Sequence, residues 1–232
     1  MNDFNKQKGF SLVELGMSLS IIAMVIAAVV AGANLKEKFE LNQAMEDIGN
    51  INSAVTEFKD IYNGYPGDMF DAEDKLGSTE TNSGNGNNAI EASATGTIDG
   101  TAGAVNEQTL FWQHLAISGL IEGSYDGTTE FMKAPISKGI YTVSKAATGG
   151  LLILLERVRT TVIASPKGIL TTKQSWEIDT KFDDGKPSSG VIQAQDGDGE
   201  TAQDCVNTTT TPQSYNLGNN GETPCVLIFL VE

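Results

Sequence analysis

The sequence predicts an α+β protein: one long N-terminal helix followed by a head built around a mainly antiparallel sheet. Three observations predict it. Phe10 to Ala33 is almost uninterrupted apolar sequence, the apolar residues beyond it recur every three or four positions as far as Tyr62, and the remainder sets short β-type apolar runs between stretches rich in Gly, Ser, Thr and Asn.

The first half of that helix is long enough to cross a bilayer, which needs about 20 apolar residues. Its single charge is Glu14, since Gly16 to Ala33 carries none. A carboxylate at the centre of a span costs about 2.5–3.5 kcal/mol, so such residues usually have a partner. No basic residue lies within helical reach on the C-terminal side, and the nearest cations are Lys6 and Lys8 in the leader. A cut after Gly9 would give Phe10 an α-amino group, ordinarily with a pKa of about 7.7–8.0. That amine on one copy could pair with Glu14 on another and set the register between identical helices.

Lys8-Gly9-Phe10-Ser11-Leu12-Val13-Glu14-Leu15 ahead of an apolar stretch resembles the processing signal of type IV prepilins and type II secretion pseudopilins. The resemblance covers about the first fifth of the chain. It implies a prepilin peptidase that cleaves between Gly9 and Phe10 and methylates the new amine, and it implies that Glu14 guides assembly into a filament. The fold it implies is pilin-like, a long helix packed against the sheet of the head. The implied partners are the peptidase and methylase, further copies of the chain and related pilins, an inner-membrane assembly platform, and the lipid bilayer before assembly. The implied location is the inner membrane, single-pass with a periplasmic head, and then a pilus or pseudopilus. A proline that many pilins carry in the apolar half has no counterpart, since Gly16 and Gly32 are the helix-weakening residues there. A tip pseudopilin usually lacks the acid that Glu14 supplies, which argues against that role.

Two other readings of the N-terminus stay open. Lys6, Lys8, the apolar run and Ala31-Gly32-Ala33 also satisfy a secretory signal peptide, whose removal would release a domain starting at Asn34. An uncleaved anchor is the other. Against the signal peptide stand the acid inside the run and the length of the run. Within the family, a type II secretion pseudopilin is the alternative to a pilus subunit. Outside it, the alternative is an exported acidic binding protein or hydrolase, soluble or membrane-anchored.

The expected segments are a leader at 1–9, a membrane or filament-core half helix at 10–33, an amphipathic half helix at 34–62 and a head at 63–232. In the amphipathic half, Leu41, Met45, Ile48, Ile51 or Asn52, Val55, Phe58 and Tyr62 share a face. Asn63-Gly64-Tyr65-Pro66-Gly67 ends the helix, after about 80 Å at 1.5 Å per residue. Asp68 to Leu76 reads as a short helix capped by Asp68, with Met69, Phe70 and Leu76 available for burial and Gly77 closing it. The segment 77–103 is nearly free of large apolar residues and reads as an exposed loop. A helix from Asn106 to Ser118 follows. Strands are expected at Gly139–Val143, Leu151–Glu156, Thr161–Ala164, Val191–Ala194 and Val226–Val231, and a helix at Thr171–Phe182. Leu151–Leu155 is too short to span a membrane and suits a central strand.

The formal net charge of −15 argues against binding nucleic-acid backbones, which takes basic patches. The two cysteines, Cys205 and Cys225, would pair in an oxidising compartment, closing a loop worth roughly 3 kcal/mol. Two buried thiols are the alternative. The lone histidine, His114, lies on an apolar helix face without a companion His or Cys and reads as packed rather than ligating. Carboxylates gather at Asp179, Asp183 and Asp184 beside Gly185, and again at Asp196-Gly197-Asp198-Gly199-Glu200. The second set puts oxygens from Asp196, Asp198 and Glu200 at alternate positions on a flexible backbone, as a structural calcium would require, though no EF-hand pattern is present. No other cofactor is expected. No Gly-x-Ser-x-Gly, Walker, His-Glu-x-x-His or Ser-x-x-Lys motif occurs, and the chain is not expected to be an enzyme.

Overall fold

The computed structural model describes residues 9, 11–77, 81–91, 106–146, 148–158, 165–197, 204–218 and 223–231. The expected leader, Phe10, most of the second half of the polar segment and the expected strand Thr161–Ala164 lie outside the described residues. The chain divides into two units between Asn42 and Gln43. Helix α1, Leu12–Tyr62, gives its first part to one unit and its last 20 residues to the other.

The second unit is α+β. After α1 come α2 (Ala72–Leu76), α3 (Glu107–Ile117), β1 (Met132–Lys133), β2 (Gly139–Lys145), β3 (Leu151–Arg157), α4 (Thr172–Phe182), β4 (Ile192–Asp196), β5 (Val206–Asn207), β6 (Ser214–Tyr215) and β7 (Cys225–Val231). Five strands form an antiparallel sheet in the order β1-β2-β3-β7-β4, and β5 and β6 form a separate antiparallel ribbon. The apolar run Leu151–Leu155 sits in the central strand, as its composition requires.

Register puts the large apolar residues on one face. Tyr141 opposes Leu155, Val143 opposes Ile153, and Ile153 in turn opposes Phe229. All five are buried, and each apolar side chain so removed from water stabilises the fold by about 1.5–3 kcal/mol. The Tyr141 hydroxyl donates to the Ala44 carbonyl at 3.3 Å and to Asp47 Oδ2 at 3.1 Å, which ties this face to the outer part of α1. The buried positions of α1 are Ala44, Ile48, Ile51, Ala54, Val55 and Phe58. The expected stripe therefore holds from Ile48 to Phe58, but Leu41, Met45 and Tyr62 are only half-buried. Two of these buried positions are alanines, Ala44 and Ala54.

Helix ends follow their sequence signals in two cases and depart in one. Asn106 caps α3 through Oδ1, which accepts from Gln108 N at 2.8 Å, and Thr171 caps α4 in a reciprocal capping box with Gln174. Asp68 does not cap α2. That helix begins four residues later, because Asp68 Oδ2 and its carbonyl accept instead from Asn88 N at 2.9 Å and Gly86 N at 2.7 Å. Met69 is buried as expected, whereas Phe70 is 68% exposed.

The described part of the polar segment, residues 81–91, corrects the expectation of an exposed loop: Thr81, Gly84, Ala89 and Ile90 are buried. Its backbone amides are hung on side chains of the core. Glu107 accepts from Asn85 N at 3.0 Å and Glu91 N at 3.2 Å, and Gln113 Oε1 accepts from Asn82 N at 3.2 Å. His114 Nδ1 accepts from Gly67 N at 2.9 Å, so its proton sits on Nε2, which donates to the Asn82 carbonyl at 2.7 Å. His114 is thus a packed residue, stacked 6.3 Å from Phe58. Ile90 closes the segment against β2 by exchanging both backbone bonds with Lys145.

Burial pushes Glu107 up to about 7 and His114 down to about 4. The folded state therefore holds the Glu107 proton more tightly than the unfolded chain does. Its contribution is fully present below about pH 4.5 and is lost as pH rises through about 7. His114 acts in the opposite sense, contributing above about pH 6.5 and losing that contribution as pH falls toward 4. The destabilisation caused by Glu107→Gln should accordingly shrink by about 1–3 kcal/mol between pH 5 and pH 8, read from urea melts of both proteins. A constant difference would contradict the burial of an ionisable carboxyl there.

Gly67 and Gly77 both have positive φ, at +87° and +68°, but only Gly67 is crowded: a Cβ there would lie 2.4 Å from the Glu107 carbonyl oxygen. Gly77→Ala should cost about 1–2 kcal/mol for the left-handed backbone alone, and Gly67→Ala about 3 kcal/mol or more. Chemical denaturation midpoints of the two variants check the ranking.

Candidate functional site

The N-terminal segment is the first candidate. Gly9 is exposed and outside the helix, and α1 begins at Leu12. Ser11 and Glu14 cap this end: Ser11 Oγ accepts from Val13 N at 3.3 Å, and Glu14 Oε2 reaches back to accept from Ser11 N at 3.1 Å. Ser-x-x-Glu before an apolar run is the sequence signal for this arrangement, and it identifies Ser11 as a functional partner that the search for a counter-cation passes over. Glu14 also stands in the first turn, where the helix dipole favours a negative charge.

Beyond Glu14 the described side chains of α1 are exposed as far as Lys38, and the helix is long and apolar enough to cross a membrane. The two serines of this apolar half are already satisfied. Ser18 Oγ donates to the Glu14 carbonyl at 2.8 Å and Ser20 Oγ to the Gly16 carbonyl at 2.9 Å, so neither brings an open hydroxyl to an apolar medium. Exposed apolar side chains all round, from Leu12 (88%) to Val30 (56%), mark a surface built for lipid or other helices rather than for water.

At the other end of the sequence, Cys205 and Cys225 form a disulfide with Cα atoms 5.1 Å apart, within the ordinary range. It fastens the β5–β6 ribbon to the start of β7. Asp196, facing Cys225 across the β4–β7 pair, accepts from Cys205 N at 2.6 Å and from Val206 N at 3.3 Å. One oxygen of this expected cation ligand therefore holds the ribbon, and Asp198 and Glu200 lie outside the described residues.

The other acidic group is brought together: carboxylate oxygens of Asp179, Asp183 and Asp184 lie within 4.8 Å of one another. Each is nevertheless an acceptor in the local scaffold. Asp179 takes the Tyr215 hydroxyl at 2.7 Å and Gly185 N at 2.9 Å, Asp183 takes Ile192 N at 2.7 Å, and Asp184 takes Ser189 Oγ at 2.7 Å and Lys186 N at 2.9 Å. Burial raises Asp179, whereas the hydrogen bond from Ser189 lowers Asp184. Their geometry is accounted for by the turn that joins α4 to β4.

Neither family models, curated proteins nor solved structures yield a match for this chain.

The Glu14–Ser11 cap has a local readout. Replacing Glu14 by Ala should speed hydrogen exchange at the Ser11 amide by about tenfold or more in the full chain in micelles, as a capping acceptor is lost. Equal exchange in both proteins would show that the carboxylate does not hold that amide.

Proposed function

We propose that this chain is a structural subunit of a type IV pilus-like filament, cut by a prepilin peptidase after Gly9 and polymerised through α1. The observation that carries the reading is a helix apolar on every side over its first half, with one acid held at its start, ahead of a separate disulfide-bonded α+β unit. An enclosed core has no use for an all-round apolar helix. A bilayer and a bundle of like helices both do, and a filament subunit meets the two in turn.

The chemistry of assembly follows from the charges. Cleavage turns the Phe10 amide nitrogen into an amine, which the methylase then alkylates while it remains a cation. In the membrane the Glu14 carboxylate rests on its own Ser11 amide. On assembly it takes the Phe10 ammonium of a neighbouring copy, and mispairing by a turn leaves both charges unmet. Extraction from lipid gains little from the hydrophobic effect, because lipid is as apolar as the neighbouring helix, so packing and this ion pair carry the selectivity. The head faces the periplasm first and the filament surface afterwards. The disulfide near the C-terminus favours the pilus over the type II secretion pseudopilus, whose deletion would abolish secretion rather than fibres.

The test is N-terminal sequencing of the native protein together with two variants. Methylated Phe10 supports the proposal, Asn34 would establish a removed signal peptide, and Met1 a plain anchor. Gly9→Val should accumulate a precursor that keeps its leader. Glu14→Val should insert normally yet reduce sheared filaments at least tenfold. Filaments as abundant as those of the wild type would refute the registry role of Glu14.

A further inference from the structure

The tip of the β5–β6 ribbon has a composition that its turn does not require. Asn207-Thr208-Thr209-Thr210-Thr211-Pro212-Gln213-Ser214 runs from one strand into the other, and Thr208 to Pro212 are all exposed. Turns between paired strands are ordinarily made by Gly, Asn, Asp, Ser and Pro, whereas β-branched threonine favours strands. Four successive threonines are therefore kept in this turn against their propensity.

Two of the four close the turn. Thr209 Oγ1 donates to Asn207 Oδ1 at 2.6 Å, and Thr210 Oγ1 donates to the Asn207 carbonyl at 3.2 Å and lies 3.2 Å from Ser214 Oγ. Thr208 and Thr211, on either side of them, make no side-chain hydrogen bond among the described residues. The base of the ribbon is fixed meanwhile. The Cys205–Cys225 disulfide holds it, Asp196 Oδ1 accepts from Cys205 N at 2.6 Å, and the Tyr215 hydroxyl donates to Asp179 Oδ2 at 2.7 Å. Two unengaged hydroxyls thus stand on a folded platform, and reaching them requires no unfolding.

The surroundings narrow the chemistry. No charged residue lies between Cys205 and Gly221, in a chain whose formal net charge is −15. An activated sugar carries an anionic diphosphate, which an acidic surface repels and this stretch does not. A phosphate on either threonine would find no Lys or Arg in the ribbon to pair with. Asn207-Thr208-Thr209 also has the Asn-x-Thr pattern of N-linked attachment. Asn207 is half-buried, however, and its amide oxygen already accepts from both the Thr209 amide and the Thr209 hydroxyl. Threonine-rich sequence with proline is the composition that carries O-linked sugars.

We propose that Thr208 and Thr211 are acceptor sites for an O-linked glycan, transferred from a nucleotide- or polyprenyl-diphosphate sugar. In the transfer, threonine Oγ attacks the anomeric carbon of the donor and a new C–O bond forms. The bond from that carbon to the diphosphate oxygen breaks, and the diphosphate leaves with the electron pair. The hydroxyl proton passes to a base of the transferase. The inference concerns the ribbon alone and does not depend on whether the chain forms filaments.

The experiment is intact-mass spectrometry of the full chain purified from its native source, with electron-transfer fragmentation to place any added group. The native mass should exceed that of the processed polypeptide by a whole number of sugar residues, placed on Thr208, Thr211 or both. The double variant Thr208→Ala, Thr211→Ala, expressed in the same source, should lose the excess completely. Because both side chains are exposed and unbonded, that variant should melt within about 2 °C of the unglycosylated wild type, so a lost excess will report the attachment and not the fold. A native mass with no excess, an excess of phosphate, or sugar placed only on Asn207, on Thr209 or Thr210, or outside the ribbon would overturn the proposal.

Discussion

One helix that must satisfy two surroundings is the constraint on which the rest of this structure depends. From Leu12 to Ala33 its described side chains are exposed and almost wholly apolar. From Ala44 to Phe58 one face is buried under the head, with Ala44 and Phe58 fully covered. Lys36, Glu37, Lys38 and Glu40 mark the change, and a Lys36–Glu40 pair bridges one turn of it. No single solvent accommodates both halves. The inner half asks for lipid or like helices, and the outer half asks for a sheet with an apolar face, which the Tyr141, Val143, Ile153, Leu155 and Phe229 face provides.

Within the inner half, Glu14 has the largest energetic consequence. A cap contributes about 0.5–2 kcal/mol and the helix dipole about 0.3–1 kcal/mol. A carboxylate deep in a bilayer costs about 2.5–3.5 kcal/mol on the insertion scale. The cap would therefore offset much of the cost that a membrane imposes on the acid, though less than an ion pair could. Under the proposed function this intermediate standing would suit an exchange, in which the acid waits in lipid and gains further when a cation arrives. The amide and hydroxyl of Ser11 fix where the helix begins.

Much of this was legible from residue patterns, for identifiable reasons. The long helix, the central strand at Leu151–Leu155 and the Asn106 and Thr171 caps each rest on a local rule, either a 3.6-residue period, a β-branched and leucine-rich run, or a side-chain oxygen at a helix start. The cap at Ser11 is equally readable from Ser-x-x-Glu ahead of an apolar run. What the sequence did not disclose depends on contacts between distant segments. Asp68 looks like a cap, yet its oxygens go to Gly86 and Asn88, 18 and 20 residues on. Residues 81–91 look too polar to be ordered, because a composition argument counts apolar side chains and cannot see Glu107 and Gln113 waiting as acceptors, and His114 as a donor, on α3.

Those buried acceptors also explain how a chain with so acidic a surface can place further carboxylates inside. Backbone amides are donors that titrate with nothing, so a segment made of them can be fastened to a core by acids without any matching base. Asp47, Asp68, Glu107 and Asp179 all have raised pKa values, and burial is the leading cause in each. Each such group binds its proton more tightly when folded, so each favours the native state below its ordinary carboxylate range and withdraws that support as pH rises. His114, buried and neutral, opposes them from the other side. The head is thereby fastened by groups whose pH dependences partly cancel. The disulfide between Cys205 and Cys225 adds a constraint that no proton can remove, and it fastens the short β5–β6 ribbon to β7.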